Sequence, residues 1–318
     1  MAAEGTAGRD EIRATRLATG AGRTLAASMP RLILEARKIA ATVIHGLHGR
    51  RRAGSGENFW QFRRYVSGEA ARRIDWRRSA RDDNLYVREQ EWEAAHTIWV
   101  WPDRSPSMAF KSKLARESKL DRTLTIGFAL AEVLVEAGER VGVPGLTRPT
   151  GSRAVIERMA EAIIHDPRER PSLPTGFAPA ALSEVVVLSD LWSPIEDIRA
   201  TLTQLSANGS QGHLVQVVDP AEEIFPYSGR IEFTEPETGE RITAGRAENW
   251  RADYETRLQQ HRSDLRAETK RLAWSFTIHR TDRPANELLL ALHGRIGEGN
   301  EAAMTNRRPH GMPLGRPA

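Results

Sequence analysis

The fold of this chain is decided by one stretch, Thr97-Ile98-Trp99-Val100-Trp101-Pro102-Asp103-Arg104-Ser105-Pro106-Ser107-Met108. The apolar run 97–102 has the length of a β-strand, and it stops at an aspartate. A helical pattern begins near Lys113. In an open parallel sheet, ligands bind beyond the carboxyl ends of the strands, which is where Asp103 is expected to lie. The stretch therefore predicts a strand that presents polar side chains to a binding site.

The D-x-S-x-S spacing suggests what such a site would bind. On one tight turn, Asp103, Ser105 and Ser107 can face a common point and offer hard oxygen ligands to Mg²⁺ or Mn²⁺. The alternative is purely structural, because Asp and Ser are also common caps at the start of a helix. The spacing resembles the metal-ion-dependent adhesion motif of von Willebrand A domains.

The composition is that of a soluble globular protein. The chain has 318 residues, of which 40% are hydrophobic and 28% charged, enough for one large domain or two small ones. There is no cysteine, which excludes disulfides and thiolate chemistry and fits a reducing compartment. No apolar run approaches the roughly 20 residues of a membrane span, and residues 1–22 lack the apolar core of a signal peptide. We therefore expect a cytoplasmic protein.

The excess of basic over acidic residues lies at the N-terminal end. The first 81 residues hold 17 Lys and Arg against 7 Asp and Glu, interleaved with aromatic residues. Such a pattern can stack on and neutralise nucleic acid. Acidic residues are interspersed, however, and arginine pairs well with carboxylates. We therefore favour a local ion-pair network over nucleic-acid binding, with these arginines as members: Arg72, Arg73, Arg77, Arg78 and Arg81.

Ahead of this region, an amphipathic helix is predicted from Pro30 onward. Its apolar residues recur at helical spacing: Ile33, Ala36, Ala40, Val43 and Leu47. The stripe could lie on a membrane or on a partner, but packing on its own domain is the expected arrangement. Residues 1–28 are predicted to be a flexible arm, and residues 297–318 a disordered tail.

The remainder alternates strands and helices, which is typical of an α/β fold with a mostly parallel sheet covered by helices on both faces. The predicted strands are 97–102, 140–146, 184–189, 213–218 and 274–279. We expect a smaller N-terminal region over 29–95 and a larger α/β domain over 96–296.

A long series of residues then resembles a known bacterial family, the domain of unknown function 58 (DUF 58). It runs over residues 46–108 and includes Gly54-Ser55-Gly56-Glu57-Asn58-Phe59, Arg64-Tyr65, Gly68-Glu69, Ile74-Asp75-Trp76, Ser79-Ala80-Arg81, Val87-Arg88-Glu89 and Asp103-x-Ser105-x-Ser107-Met108. The family's usual Gly-Asp is Gly68-Glu69 here, a change that preserves the charge. Asp219-Pro220-Ala221-Glu222 and Thr281-Asp282 are similar to its C-terminal half.

The resemblance implies a von Willebrand A-like, Rossmann-type domain with a metal site. In such domains the neighbouring strand ends in an aspartate that contacts the metal through water, and Asp190 matches that role. A threonine from a loop between the two strands is also expected. Thr175 is the best candidate, and Thr147 is the second.

The resemblance also implies a role for the protein. Members of this family are typically found alongside MoxR-type AAA+ ATPases, so a non-catalytic adaptor that binds such an ATPase and a protein client is expected. The rivals are a nucleic-acid-binding protein and a phosphohydrolase with Asp103 as nucleophile. The hydrolase is disfavoured because a second acid normally follows the nucleophile by two residues, where Ser105 stands here.

His45 and His48 suggest a ligand pair, but no third ligand is evident near them.

Overall fold

The structure is a computed structural model, and it describes residues 4–48, 59–66, 69–81, 83–90, 96–166 and 171–305. The strands are β1 Phe59–Arg64, β2 Tyr86–Gln90, β3 Thr97–Pro102, β4 Arg140–Gly142, β5 Glu184–Ser189, β6 Gln211–Val218, β7 Ile231–Thr234, β8 Arg241–Ala244 and β9 Ser275–Arg280. The α-helices are α1 Glu4–His48, α2 Trp76–Ser79, α3 Lys119–Glu136, α4 Val155–Ile164, α5 Ile195–Ser206, α6 Pro220–Ile224, α7 Arg251–Arg271 and α8 Ala285–Thr305. Short 3₁₀ helices span Ala71–Arg73, Pro106–Ala109 and Ala247–Trp250.

Five strands form a single parallel sheet in the order β4-β3-β5-β6-β9. The chain runs outward from β3 to β4, then returns to the other side of β3 and continues through β5, β6 and β9. The direction of winding therefore reverses between β3 and β5, and ligands bind at the carboxyl edge of such a reversal. The five predicted strands all belong to this sheet, which confirms the α/β prediction.

The strand bounds differ most at β4. The prediction was 140–146, but the strand ends at Gly142, followed by Pro144 and by Gly145 at φ +67°. A proline cannot donate to a sheet ladder, and the positive φ turns the chain away. Val141 then forms an antiparallel bridge with Thr150 on the returning segment.

Helices cover both faces of the sheet, because successive strand residues point to opposite sides. On one face Gly127 of α3 lies against Val100 and Leu188, and α4 and α8 contact α3. On the other face Trp101, Val185, Val187 and Leu214 pack with α5 and α7 residues that include Leu202 and Leu265. The buried strands are held between these two apolar layers.

The apolar stripe of α1 is buried within its own domain. Its buried residues are Leu25, Met29, Leu32, Ala36, Ala40 and Val43. Arg31 pairs with Asp121 of α3 at 2.6 Å, and Arg37 pairs with Glu157 of α4. The predicted packing of this helix on its own domain is therefore confirmed. No described helix is both long enough and apolar enough to cross a membrane.

The N-terminal helix begins earlier than the sequence predicted. Helix α1 begins at Glu4 and runs through Pro30, so the boundary between a flexible arm and a helix at residues 28/29 does not exist. The helix continues because the buried series starts at Leu25, ahead of the proline. Pro30 lacks an N–H and so cannot donate a hydrogen bond within the helix. In the turn before Pro30, the hydroxyl of Ser28 donates to the carbonyl of Leu25 (2.9 Å). Residues 1–45 also group with residues 96–318, not with the N-terminal region.

The second compact unit covers residues 46–95, and its end coincides with the predicted division after residue 95. Strands β1 and β2 pair antiparallel, with Val87 completely buried. The guanidinium of Arg78 lies 4.6 Å from the ring centre of Tyr86, whereas Arg63 pairs with Glu69 at 2.9 Å. The group seen to face the Arg78 guanidinium is thus an aromatic ring, and pairing of this arginine with a carboxylate stays a prediction.

The remaining predictions concern the edges of the described chain. Helix α8 continues without a break to Thr305. Its last nine residues, 297–305, were predicted to belong to a disordered tail. Residues 306–318 lie outside the described residues, and so do residues 49–58, where the family resemblance is dense. The side chains of Arg73 and His48 lie outside them as well.

Candidate functional site

Asp103 is the central side chain of the site and directly follows β3. Its backbone N–H donates to the carbonyl of Leu188 at 2.8 Å, so pairing with β5 persists where the strand ends. The residue is completely buried. Oδ1 accepts the N–H of Ser105 (2.8 Å), and Oδ2 accepts the hydroxyl of Ser189 (2.6 Å). Both carboxylate oxygens are therefore held in fixed positions.

The two serines of the D-x-S-x-S stretch lie together beside it. Ser105 Oγ is 3.2 Å from Ser107 Oγ, with Ser105 buried and Ser107 half-buried. Ser105 precedes the 3₁₀ helix 106–109 but makes no side-chain capping bond, and α3 is capped by Ser118, which accepts the N–H of Asp121 (3.1 Å). The Ser105 hydroxyl thus faces Ser107 and Asp103 and does not cap a helix.

Lys119 is the first residue of α3, and its side chain extends into the site. The pattern predicted this helix to begin near Lys113, but it begins at Lys119 because Ser118 is its cap. The ammonium group lies 2.9 Å from Asp190 Oδ2 and 2.6 Å from Glu222 Oε1, and the side chain is only 1% exposed. An ammonium thus lies between two carboxylates at the carboxyl edge.

Asp190 and Glu222 are held in place by their own backbone contacts. Asp190 follows β5, is buried, and has its carbonyl bound by the Gln216 side chain (3.1 Å). Glu222 belongs to a capping box, in which Asp219 accepts from the first turn of α6 and Glu222 Oε2 accepts the Asp219 N–H (2.8 Å). Asp219 is therefore the residue that caps α6. Both carboxylates are therefore aimed at Lys119.

The pKa values distinguish Asp103 from the group formed by Asp190, Glu222 and Lys119. Burial, and after it the neighbouring Asp190, raise the pKa of Asp103 to about 7, against hydrogen bonds from Ser189 and Ser105 that act to lower it. Burial also raises the pKa of Glu222, against the attraction of Lys119. Burial acts to lower the pKa of Lys119, but Glu222 and Asp190 together raise it above its usual value. The Asp103 carboxylate is the group that a further cation would stabilise.

The donor set suits a hard divalent cation that keeps most of its waters. It consists of one buried carboxylate and two adjacent hydroxyls, with Asp190 nearby and partly neutralised by Lys119. Within the described residues there is no group of three or more His, Asp or Glu side chains that could enclose a metal ion. Mg²⁺ commonly binds through one or two carboxylates and retains water, so the residues fit it as a sparse site.

Thr175 lies apart from this buried group. It is exposed on the loop before β5, its N–H donates to the carbonyl of Leu173 (2.8 Å), and it lines a cleft with Ser193 and Asp197. The second candidate, Thr147, accepts the N–H of Val143 (2.9 Å) in the turn after β4. The part of the chain that the structure describes brings neither threonine into hydrogen-bond contact with Asp103. Ligation by Thr175 stays a prediction.

Sequence reasoning missed four participants: Lys119, Ser189, Glu222 and Glu237. Glu237 lies in the turn between β7 and β8, and its Oε1 accepts the N–H of Ser107 at 3.2 Å. The capping pattern Asp219-x-x-Glu222 was visible in the sequence, as was Ser118-x-x-Asp121 next to Lys119. Those patterns predict where a helix begins, however. They do not predict which residue, distant in sequence, the side chains of Lys119 and Glu222 contact.

The family assignment rests on a match that covers this whole site. The pattern described as "Protein of unknown function DUF58" matches residues 61–264. The chain belongs to the DUF58 family. The DUF58 match includes strand β3, the D-x-S-x-S loop, Lys119, Asp190 and the β7–β8 hairpin, which confirms the resemblance seen in the sequence.

Similar full-length proteins occur in mycobacteria. The uncharacterized protein Mb1516 of Mycobacterium bovis and the uncharacterized protein Rv1480 of Mycobacterium tuberculosis H37Rv are each 24% identical to this DUF58 chain over 282 residues. Each alignment covers 81% of this chain and 86% of the relative. Among solved structures, the conserved hypothetical protein BatB from Bacteroides thetaiotaomicron is similar with a TM-score of 0.35 and 13% identity, over 65% of this chain and 100% of BatB.

Proposed function

We propose that this chain is a non-catalytic protein-binding adaptor of the cytoplasm, that it docks through Mg²⁺ or Mn²⁺, and that it works with a MoxR-type AAA+ ATPase. One observation carries the metal proposal. Asp103, Ser105 and Ser107 meet in one loop at the carboxyl edge, and the buried Asp103 carboxylate has its pKa raised to about 7. A divalent cation held there would offset the cost of ionising this carboxylate.

The chain's own residues divide the work at such a site. Asp103 would supply the charged ligand, with Ser105 and Ser107 supplying neutral oxygens. Asp190 keeps Oδ2 on Lys119, while its Oδ1 is 3.4 Å from the Trp192 N–H, a weak contact that leaves this oxygen able to accept from water. When bound, the cation would offer a coordination position to a carboxylate of the partner. Because Lys119 already neutralises Asp190, binding is expected to be moderate and reversible.

The same geometry supports binding over hydrolysis. A phosphoaspartyl nucleophile normally works with a second acid placed two residues after it. Ser105 stands at the position where that acid is expected. The ATPase partner and its protein client rest on the family resemblance alone, because members are typically found alongside MoxR-type ATPases.

The proposal is tested with the purified chain and a purified MoxR-type ATPase from the same genome. Capture is measured in Mg²⁺ and in chelator, and Mn²⁺ binding is measured by calorimetry. Asp103→Ala and the double variant Ser105→Ala/Ser107→Ala should lose both Mn²⁺ uptake and capture. Thr175→Ala in the same assay decides whether that threonine belongs to the ligand set.

A matched control is the double variant Ser172→Ala/Ser193→Ala. It removes a second hydroxyl pair, 2.8 Å apart, in the cleft beside Thr175. It should leave Mn²⁺ binding and capture unchanged. Capture that survives chelator and the Asp103→Ala change would overturn the metal proposal.

A specific observation favours nucleic-acid binding as the second candidate. In the unit formed by residues 46–95, Trp76 is 62% exposed, and Arg72, Arg77 and Arg81 are exposed as well. An exposed indole among exposed arginines is suited to stacking on single-stranded nucleic acid. A salt-sensitive gel shift that is lost in Trp76→Ala would support this candidate.

A further inference from the structure

The β7–β8 hairpin carries a carboxylate to the D-x-S-x-S loop. Glu237 stands in its turn, and Oε1 of Glu237 accepts the N–H of Ser107 at 3.2 Å. Ser107 is one of the two hydroxyl residues of the candidate metal site, and its Oγ lies 3.2 Å from Ser105 Oγ. A side-chain carboxylate of the chain itself therefore lies at the loop where a partner's carboxylate is expected to dock.

The turn of the hairpin is well defined. Glu235 donates its N–H to the carbonyl of Glu240 (2.8 Å), and Gly239 donates to the carbonyl of Glu235 (2.8 Å). Gly239 has φ +75°, which a residue with a side chain adopts only with strain. Glu237 thus lies in a closed four-residue turn, 236–239, that keeps its side chain near Ser107.

The base of the hairpin is anchored in the domain, whereas its turn is exposed. Phe233 stacks on Phe225 (ring centres 6.0 Å apart) and on Trp250 (5.9 Å), and Ala244 is buried. The residues of the turn, 235–240, are all exposed. An anchored base with an exposed turn allows the end of the hairpin to move away from the loop without unfolding the domain.

We propose that Glu237 is an internal pseudo-ligand: its carboxylate covers the Ser107 side of the metal site, and an acidic residue of the partner displaces it on docking. This proposal rests on the proposed function and adds to it the regulation of that site and the chemistry of the partner. The partner segment carries a glutamate or aspartate on an exposed turn, because that is the group the hairpin now presents. The closed hairpin lowers the apparent affinity for the partner, because only the open fraction can bind.

The first experiment tests the contact without metal or partner. Amide hydrogen exchange is followed by mass spectrometry in the peptide that contains Ser107, in wild type and in Glu237→Ala. The variant removes the acceptor, so exchange at Ser107 should be faster by about three- to tenfold. The matched control is Glu240→Ala, which removes an exposed carboxylate from the same turn and should exchange like wild type. Equal exchange in Glu237→Ala and wild type would overturn the proposal.

The second experiment measures capture of the purified ATPase in Mg²⁺. Glu237→Ala should bind about three- to tenfold more tightly than wild type and Glu240→Ala, with Glu237→Gln between them, because glutamine keeps the acceptor but loses the charge. If Asp103→Ala abolishes capture while Glu237→Ala fails to improve it, the pseudo-ligand is wrong and the proposed function stands. If no variant captures the ATPase, both are wrong.

Discussion

Lys119 Nζ lies 2.9 Å from Asp190 Oδ2, and the two side chains are 1% and 2% exposed. The second aspartate of the candidate metal site is therefore paired with a cation that belongs to the chain. Glu222, at 2.6 Å from the same ammonium, completes this group. Among the described residues Asp103 has no ion-pair partner, so a lysine neutralises Asp190 while the buried Asp103 lacks a counter-charge of this kind.

Lys119→Met should destabilise the fold strongly. The change leaves Asp190 and Glu222 buried without their cation, and breaking such a pair costs about 3–5 kcal/mol. Protonation of Glu222, whose pKa burial already raises, relieves part of the cost at low pH. The measurement is the free energy of unfolding in urea at pH 7. Lys113→Met, an exposed lysine of the preceding loop, should stay within about 0.5 kcal/mol of wild type. A loss below about 1 kcal/mol for Lys119→Met would contradict a structural role for this pair.

Asp103→Asn should stabilise the fold at alkaline pH. The folded pKa of Asp103, about 7, is raised above its ordinary value of 3.8, so its stabilising contribution is complete below pH 3.8 and is lost as pH rises through 7. At pH 8 the variant should gain about 2 kcal/mol, which is the cost of ionisation less a weakened hydrogen bond. Near pH 4 the two proteins should be equally stable.

Two further comparisons sharpen this result. Adding 10-fold more Mg²⁺ than protein should narrow the gap at pH 8, since only wild type keeps the charged ligand. Asp253→Asn, an exposed aspartate in the first turn of α7, should give no gain at pH 8. A variant less stable than wild type at pH 8 would indicate that Asp103 serves mainly to hold the turn.

Arg78→Glu should weaken the unit of residues 46–95, whereas Arg77→Glu should not. Arg78 faces the ring of Tyr86 at 4.6 Å, and the reversed charge would lose about 1–2 kcal/mol of cation–π attraction. Arg77 is exposed, so its reversal should change stability by less than about 0.5 kcal/mol. Thermal melting of each variant gives the comparison. A gel shift with single-stranded DNA, lost in Arg77→Glu without a change in melting, would instead favour nucleic-acid binding.

His279 should make stability fall on acidification. Burial, and after it the charge of Arg122, lower its pKa to about 4, so the folded protein resists a proton that the unfolded chain accepts near 6.5. The stability due to neutral His279 is therefore complete above pH 6.5 and is lost as pH falls toward 4, by up to about 3 kcal/mol. In His279→Gln this part of the pH dependence should disappear from urea unfolding curves. His45→Gln, at an exposed position of α1, should keep it.

Several elements were predictable because their signals are local. The apolar runs 97–102 and 184–189 are strands with those bounds, since a short and largely apolar run is typical of a parallel strand. Asp103 and Asp190 follow from the same reasoning, because a polar residue after each buried strand must lie at the sheet edge. The start of α1 was missed because Pro30 is a common first residue of a helix, although Leu25 and Met29 already carried its stripe.

The sequence alone thus determined the sheet, the order of its elements and the loop that carries Asp103, Ser105 and Ser107. Tertiary structure decided which charges meet there. Lys119 reaches Asp190 over 71 residues and Glu222 over 103, and Glu237 reaches Ser107 over 130. Periodicity and capping patterns extend over a few residues of chain, whereas an ion pair or a hydrogen bond depends on distance in space. The acidic partners of Lys119 and of Ser107 therefore depend on how the helices and the hairpin pack in the folded domain.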